Sequence, residues 1–154
     1  MSIQSQPTSF ESDRFIEVDT RFGSQMVDQS RVLSFPQGLP GLEDLHAFAL
    51  FHDENNSNVF YLQSLEDADI RLPVISPENF QVDYHLTLTD EEISHLELAD
   101  PQELAIMVTV ARTGDAASDV KANFNAPIIL NTRSRVGLQK ILRQTSGSVV
   151  LQAH

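Results

Sequence analysis

Apolar residues in this chain come in short runs. Clusters of Pro, Gly, Asn, Asp and Ser interrupt them every ~8–12 residues, a spacing that suits strands and leaves little room for long helices. Segments 30–35, 47–51, 59–65, 70–75, 104–112, 120–124, 127–130, 136–142 and 149–152 read as strands. Val82, Tyr84, Leu86 and Leu88 alternate with Asp83, His85 and Thr87, the pattern of a half-buried strand. The run at 104–112 is the longest apolar stretch and the expected central strand. Phe60, Leu62, Val74, Ile106, Val108, Ile128 and Ile141 are the expected core. Two Pro and two Gly within 36–41 demand a turn, with Gly38 and Gly41 supplying backbone freedom. Pro73 marks an edge, a bulge or an end of pairing. The one clear helix start is Thr89, which has capping-box spacing to Glu92, with Asp90 and Glu91 at the positive end of the helix dipole. The expected architecture is mainly β: a compact antiparallel β-barrel-like single domain over 13–154, with one or two short helices, behind a flexible polar tail at 1–12.

Charge narrows the function. The 154 residues carry 22 Asp and Glu against 10 Lys and Arg, a net charge of −12. Residues 43–103 hold fifteen acids and one base, Arg71, whereas 104–154 hold two acids and six bases. The acidic middle should attract basic surfaces and repel polyanions, which argues against direct nucleic-acid or anionic-membrane binding. The basic cluster Arg133, Arg135, Lys140 and Arg143 reads first as an internal counterweight to those acids. The absence of Cys excludes disulfides, thiolate catalysis and Cys-ligated metals. No apolar run approaches the ~18 residues of a membrane helix, and residues 1–13 show no export signal, so a cytoplasmic location is expected.

Signatures of chemistry are missing. No HExxH, phosphate-binding Gly loop or GxSxG elbow occurs, and the five His have no metal-ligand spacing. Asp53, Asn55 and Ser57 begin like a calcium loop, but Asn58 stands where glycine is needed and Ser64 where a bidentate glutamate is needed. No catalytic residue, metal or cofactor is expected.

Several stretches carry a family resemblance. They are Phe35-Pro36-Gln37-Gly38-Leu39-Pro40-Gly41-Leu42-Glu43, Phe60-Tyr61-Leu62-Gln63-Ser64-Leu65-Glu66-Asp67, Leu72-Pro73-Val74, Pro77, Phe80 and Asp83-Tyr84. Further along come Ala122-Asn123-Phe124-Asn125-Ala126-Pro127-Ile128-Ile129-Leu130-Asn131 and Gly137-Leu138-Gln139-Lys140-Ile141-Leu142. In this order they resemble the FliW family of flagellar assembly factors. Phe124 departs from the more aliphatic residue expected at its position. The resemblance implies a non-enzymatic regulator on a compact antiparallel barrel. It would bind CsrA, a small RNA-binding translational repressor, and relieve repression of flagellin messenger RNA. It would also bind flagellin in a partner exchange.

The candidate partner-binding residues are Glu66, Asp67 and Asp69 in the turn after Ser64, followed by Phe80 and Asp83. The competing reading of Glu66 and Asp67 is that they shape a hairpin turn. As a docking surface, a charge reversal at Glu66 and Asp67 should weaken CsrA binding and leave the melting temperature nearly unchanged. The alternative function is a small-molecule- or carbohydrate-binding β-barrel that uses its acidic loops, for which a deep polar pocket would speak.

Overall fold

The computed structural model describes residues 14–20, 23–80, 84–112, 114 and 120–142. The expected tail at 1–12, the strand at 149–152, Arg143 and the candidate Asp83 lie outside the described residues.

A hairpin opens the fold: β1 (Phe15–Thr20) pairs antiparallel with β2 (Gly23–Asp28). The main sheet follows with β3 (Leu33–Ser34), β4 (Ala47–His52), β5 (Val59–Ser64), β6 (Arg71–Ile75), β7 (Leu104–Arg112), β8 (Val120–Ala122), β9 (Ile128–Asn131) and β10 (Gly137–Gln139). Its order is β10-β9-β7-β6-β5-β4-β3, with β8 also pairing β7, and every ladder is antiparallel. The sheet curls round on itself, and a parallel bridge between Ser34 and Val136 links its two ends. There the Ser34 N–H donates to the Arg135 carbonyl at 2.8 Å.

Alternation along the strands sorts side chains onto two faces. The inner face packs Leu33, Phe35, Leu39, Phe48, Leu62, Val74, Met107, Ile128 and Leu130, all buried. Phe35 meets Phe48 edge to face, with ring centroids 5.3 Å apart. On the outer face, Val18 and Val27 of the hairpin pack against Ala49, with Ile16, Phe51 and Leu65 around them. The β1–β2 hairpin therefore lies on the outside of the barrel over β4 and β5.

Two glycines are required by geometry. Gly38 has φ +68°, and a Cβ there would stand 2.7 Å from the Glu43 backbone. At Gly137 a Cβ would stand 2.6 Å from Leu130 and 2.7 Å from the Phe35 ring. The second helps define the seam, because only a residue without a side chain lets β10 come this close to the aromatic core.

Helix α1 (Asp90–His95) starts at the Thr89 capping box: the Thr89 hydroxyl accepts the Glu92 N–H, and the Glu92 carboxylate accepts the Thr89 N–H. It is anchored by the fully buried Leu96 and by Lys140, whose ammonium lies 2.7 Å from Glu92.

Some expectations need correction. The segment from Tyr84 to Thr89 joins no ladder, although Tyr84, Leu86 and Leu88 are half-buried and His85 and Thr87 exposed. Alternating burial arises wherever an extended chain lies on a core, with or without a pairing strand. Segment 30–35 contributes only two strand residues, because Gln29–Arg31 forms a 3-10 turn capped by Asp28. Ile141, expected in the core, is 57% exposed beyond the end of β10. Pro73 meets one of its three expected readings, an end of pairing, although it lies within an interior strand. It pairs with Tyr61 on the β5 side and sits just outside the two-residue ladder to β7, so its missing N–H interrupts nothing there.

Candidate functional site

The acidic turn between β5 and β6 is built from the end of β5 outward. Gln63 is fully buried, and its amide nitrogen donates to the carbonyls of Ser64, Ala68 and Ile70 at 3.0, 3.2 and 3.1 Å. The adjacent Ser64 hydroxyl accepts the N–H groups of both Glu66 and Asp67 at 3.0 Å. Asp67 accepts the Asp69 N–H, closing an Asx turn. Five residues of turn are thus held by three polar side chains from the same short segment.

Glu66 reaches across to the next strand. One oxygen accepts the N–H groups of His46 and Ala47, at 2.6 and 2.9 Å, where β4 begins. Those two donors hold its carboxyl below the usual glutamate range. Glu66 is therefore part of the frame as well as exposed, and a charge reversal there would set a positive group against two backbone donors. The expectation of an unchanged melting temperature is corrected on this ground for Glu66. The carboxylate of Asp69 has no partner among the described residues, and Asp69 is exposed.

Phe80 lies elsewhere. It ends the 3-10 turn Pro77–Phe80 that follows β6, whereas the acidic turn precedes β6. The length of that strand separates them by roughly 15 Å. Phe80 packs edge-on against Phe124 at 5.6 Å, and Tyr84 packs against Phe124 at 5.6 Å with the rings tilted by 50°. The Tyr84 hydroxyl donates to the Phe124 carbonyl. Phe124, where the resemblance led to the expectation of a more aliphatic residue, is thus shared by both ring contacts. Glu66, Asp67 and Asp69 come together, and Phe80 forms a second, distant feature.

Between the hairpin and the outer face of β4–β6 lies an open cleft of 610 Å³, lined by Thr20, Gln25, Phe51, Asp53, Tyr61 and Arg71 among others. Tyr61 donates to Asp53 at 2.7 Å, and the Arg71 guanidinium lies 3.6 Å from the Tyr61 ring centroid. The Tyr61 hydroxyl is the main cause holding Asp53 below the usual range. Gln63 also borders this cleft, and its carbonyl oxygen is buried without a partner. No group of three His, Asp or Glu among the described residues could hold a metal ion.

The basic cluster divides. Arg133 pairs with Glu103, and Lys140 with Glu92. Arg135 instead meets Arg31, a residue the sequence reading did not connect with it. Their separation of 104 positions leaves no local pattern that could have signalled the contact.

The chain matches the model of the FliW protein family over residues 17–152. This chain belongs to the FliW family. The flagellar assembly factor FliW of Azoarcus sp. (strain BH72) is 40% identical over 136 residues, covering 85% of this chain and 93% of that protein. The flagellar assembly factor FliW of Clostridium tetani (strain Massachusetts / E88) is 36% identical, covering 75% and 79%. A crystal structure of the flagellar assembly factor FliW superposes with a TM-score of 0.78 at 26% identity, covering 90% of this chain and 96% of that one. The FliW fold accounts for the curled sheet and its short helix, and flagellar assembly is the role that the names of these relatives carry.

Proposed function

We propose that this chain acts in the cytoplasm by binding CsrA and flagellin in alternation. Holding CsrA would relieve its repression of flagellin messenger RNA, and flagellin would displace it. Membership of the FliW family supports this reading. The observation that carries it here is the acidic turn Glu66–Asp69, set rigidly by Gln63 and Ser64 within a segment of fifteen acids and one base. A surface that binds RNA must be basic, and a complementary acidic face raises association rate and selectivity. A pre-set turn loses little entropy on docking. No catalytic step is needed for this activity.

Isothermal titration of purified CsrA into the chain tests the proposal directly, followed by addition of flagellin. Saturable binding that flagellin reverses is the expected outcome. If neither protein binds, the reading fails, and a small polar ligand held in the cleft beside Tyr61 and Asp53 becomes the better account.

A further inference from the structure

Arg31 and Arg135 stand apart in the charge map as two cations in contact with each other; the exposed Lys121 also lacks a carboxylate among the described residues but has no such neighbour. Acids outnumber bases 22 to 10, so a carboxylate is easily found. Arg14 reaches Asp28, Arg133 reaches Glu103, and Lys140 reaches Glu92. Arg71 lies over Tyr61, with its charge acting on Asp53. Arg135 instead donates from Nη2 to the backbone carbonyl of Arg31 at 2.9 Å, which places one guanidinium beside another arginine. Neither arginine reaches a carboxylate among the described residues.

Two further observations mark the pair. Arg135 has φ +64°, in the left-handed region that a side-chain-bearing residue enters at a cost. Its Nε is buried with no acceptor. The seam holds it there, since its carbonyl accepts the Ser34 N–H and its own N–H donates to the Asn131 carbonyl. Burial and then the neighbouring Arg31 both push its pKa down, the direction for a cation lacking a counter-charge. Backbone strain, an unsatisfied donor and like-charge proximity coincide on one residue at the closure of the sheet.

We propose that Arg31 and Arg135 form a receptor for a carboxylate side chain presented by a protein partner. The exposed guanidinium of Arg31 offers a fork that matches a carboxylate in plane and spacing, while Arg135, with Nε buried and Nη2 committed to the Arg31 carbonyl, adds its charge beside it. A nucleic acid fits poorly, because it needs several bases along a phosphate track, and the nearby Arg133 and Lys140 are already neutralised within the chain. The site is independent of the CsrA reading, which asks the acidic turn to meet a basic surface. Here the chain offers positive charge to an acidic one.

The test uses the full chain, labelled with nitrogen-15, and a capped triglutamate peptide at low salt. Capped triglutamine, inorganic phosphate and a short single-stranded oligoribonucleotide serve as comparisons. Saturable shifts of the Arg135 Nε resonance with triglutamate, absent with triglutamine, are expected. Arg31→Gln should weaken that binding about tenfold, and Arg31→Lys, which keeps charge but loses the fork, should recover only part of it. The lysine variant also serves if the glutamine variant folds poorly. The net charge of −12 works against any nonspecific attraction of triglutamate. No shift at Arg135, equal shifts with triglutamine, or tighter binding of phosphate or the oligoribonucleotide at the same resonances would overturn the proposal.

Discussion

Gly137 faces Phe35 across the seam of the sheet so closely that a methyl group on the glycine would stand 2.7 Å from the aromatic ring. Phe35 is fully buried and braced edge-on by Phe48, so it has nowhere to move. Gly137→Ala should therefore destabilise the fold by about 1–3 kcal/mol, the usual cost of overpacking. A denaturant midpoint equal to that of the parent would show that the seam is looser than described.

Glu66 and Asp69 should behave differently although they share one turn. Glu66→Ala removes the acceptor for two β4 backbone donors and should cost about 1 kcal/mol. Asp69→Asn should leave the melting temperature unchanged and slow association with CsrA, most clearly at low salt. Stopped-flow rates at two ionic strengths, beside melting curves, separate the two effects. An Asp69 variant with parental rates would remove this turn from the docking surface.

Acid sensitivity should be traceable to Glu92. Burial pushes its carboxyl up, but Lys140 and the Thr89 cap together outweigh burial and hold it below its ordinary value of 4.5. A depressed folded pKa means that the stabilisation is complete above the unfolded value and is lost as pH falls through the folded one. Glu92→Gln should destabilise at neutral pH by about 1–3 kcal/mol, since it leaves the largely buried Lys140 without its counter-charge. The gap from the parent should narrow below about pH 4. Urea midpoints measured across that range check it, and a gap that stays constant with pH would count against the pairing.

At the alkaline end the marker is Tyr84. Burial raises its phenol from 10.0 to about 12. Because the folded value exceeds the unfolded one, this contribution is complete below pH 10.0 and fades as pH climbs toward about 12. Subtracting the ultraviolet titration of Tyr84→Phe from that of the parent should leave a late-ionising step that belongs to Tyr84. A difference without that late step would overturn the assignment.

Much of the fold was legible because its signals are local. The Thr89–Glu92 box, the turn at 36–41 and the strands at 59–65 and 104–112 each depend on neighbours within a few positions, and all appear close to their expected bounds. The alternation from Tyr84 to Leu88 misled, since burial periodicity does not report whether a second strand is present to pair. At the acidic turn the residue types were legible, but their division of labour was not. Whether a carboxylate caps its own loop, as Asp67 does, or a distant strand, as Glu66 does, is decided by the register of β4 on β5. Phe124 and the meeting of Arg31 with Arg135 were invisible for the same reason: each depends on segments far apart in the chain.

Elsewhere the ring is stitched by ladders of two to five residue pairs, but where β3 meets β10 a single bridge, Ser34 to Val136, spans the gap. Bringing those ends together closes a very long loop, so the clasp can fasten only after the rest of the sheet has formed. It is then the link that fastens last and slips first. Amide protons at this joint should exchange with solvent ahead of those in β5 and β7, and a neighbouring chain that offered a spare strand would find its entry there.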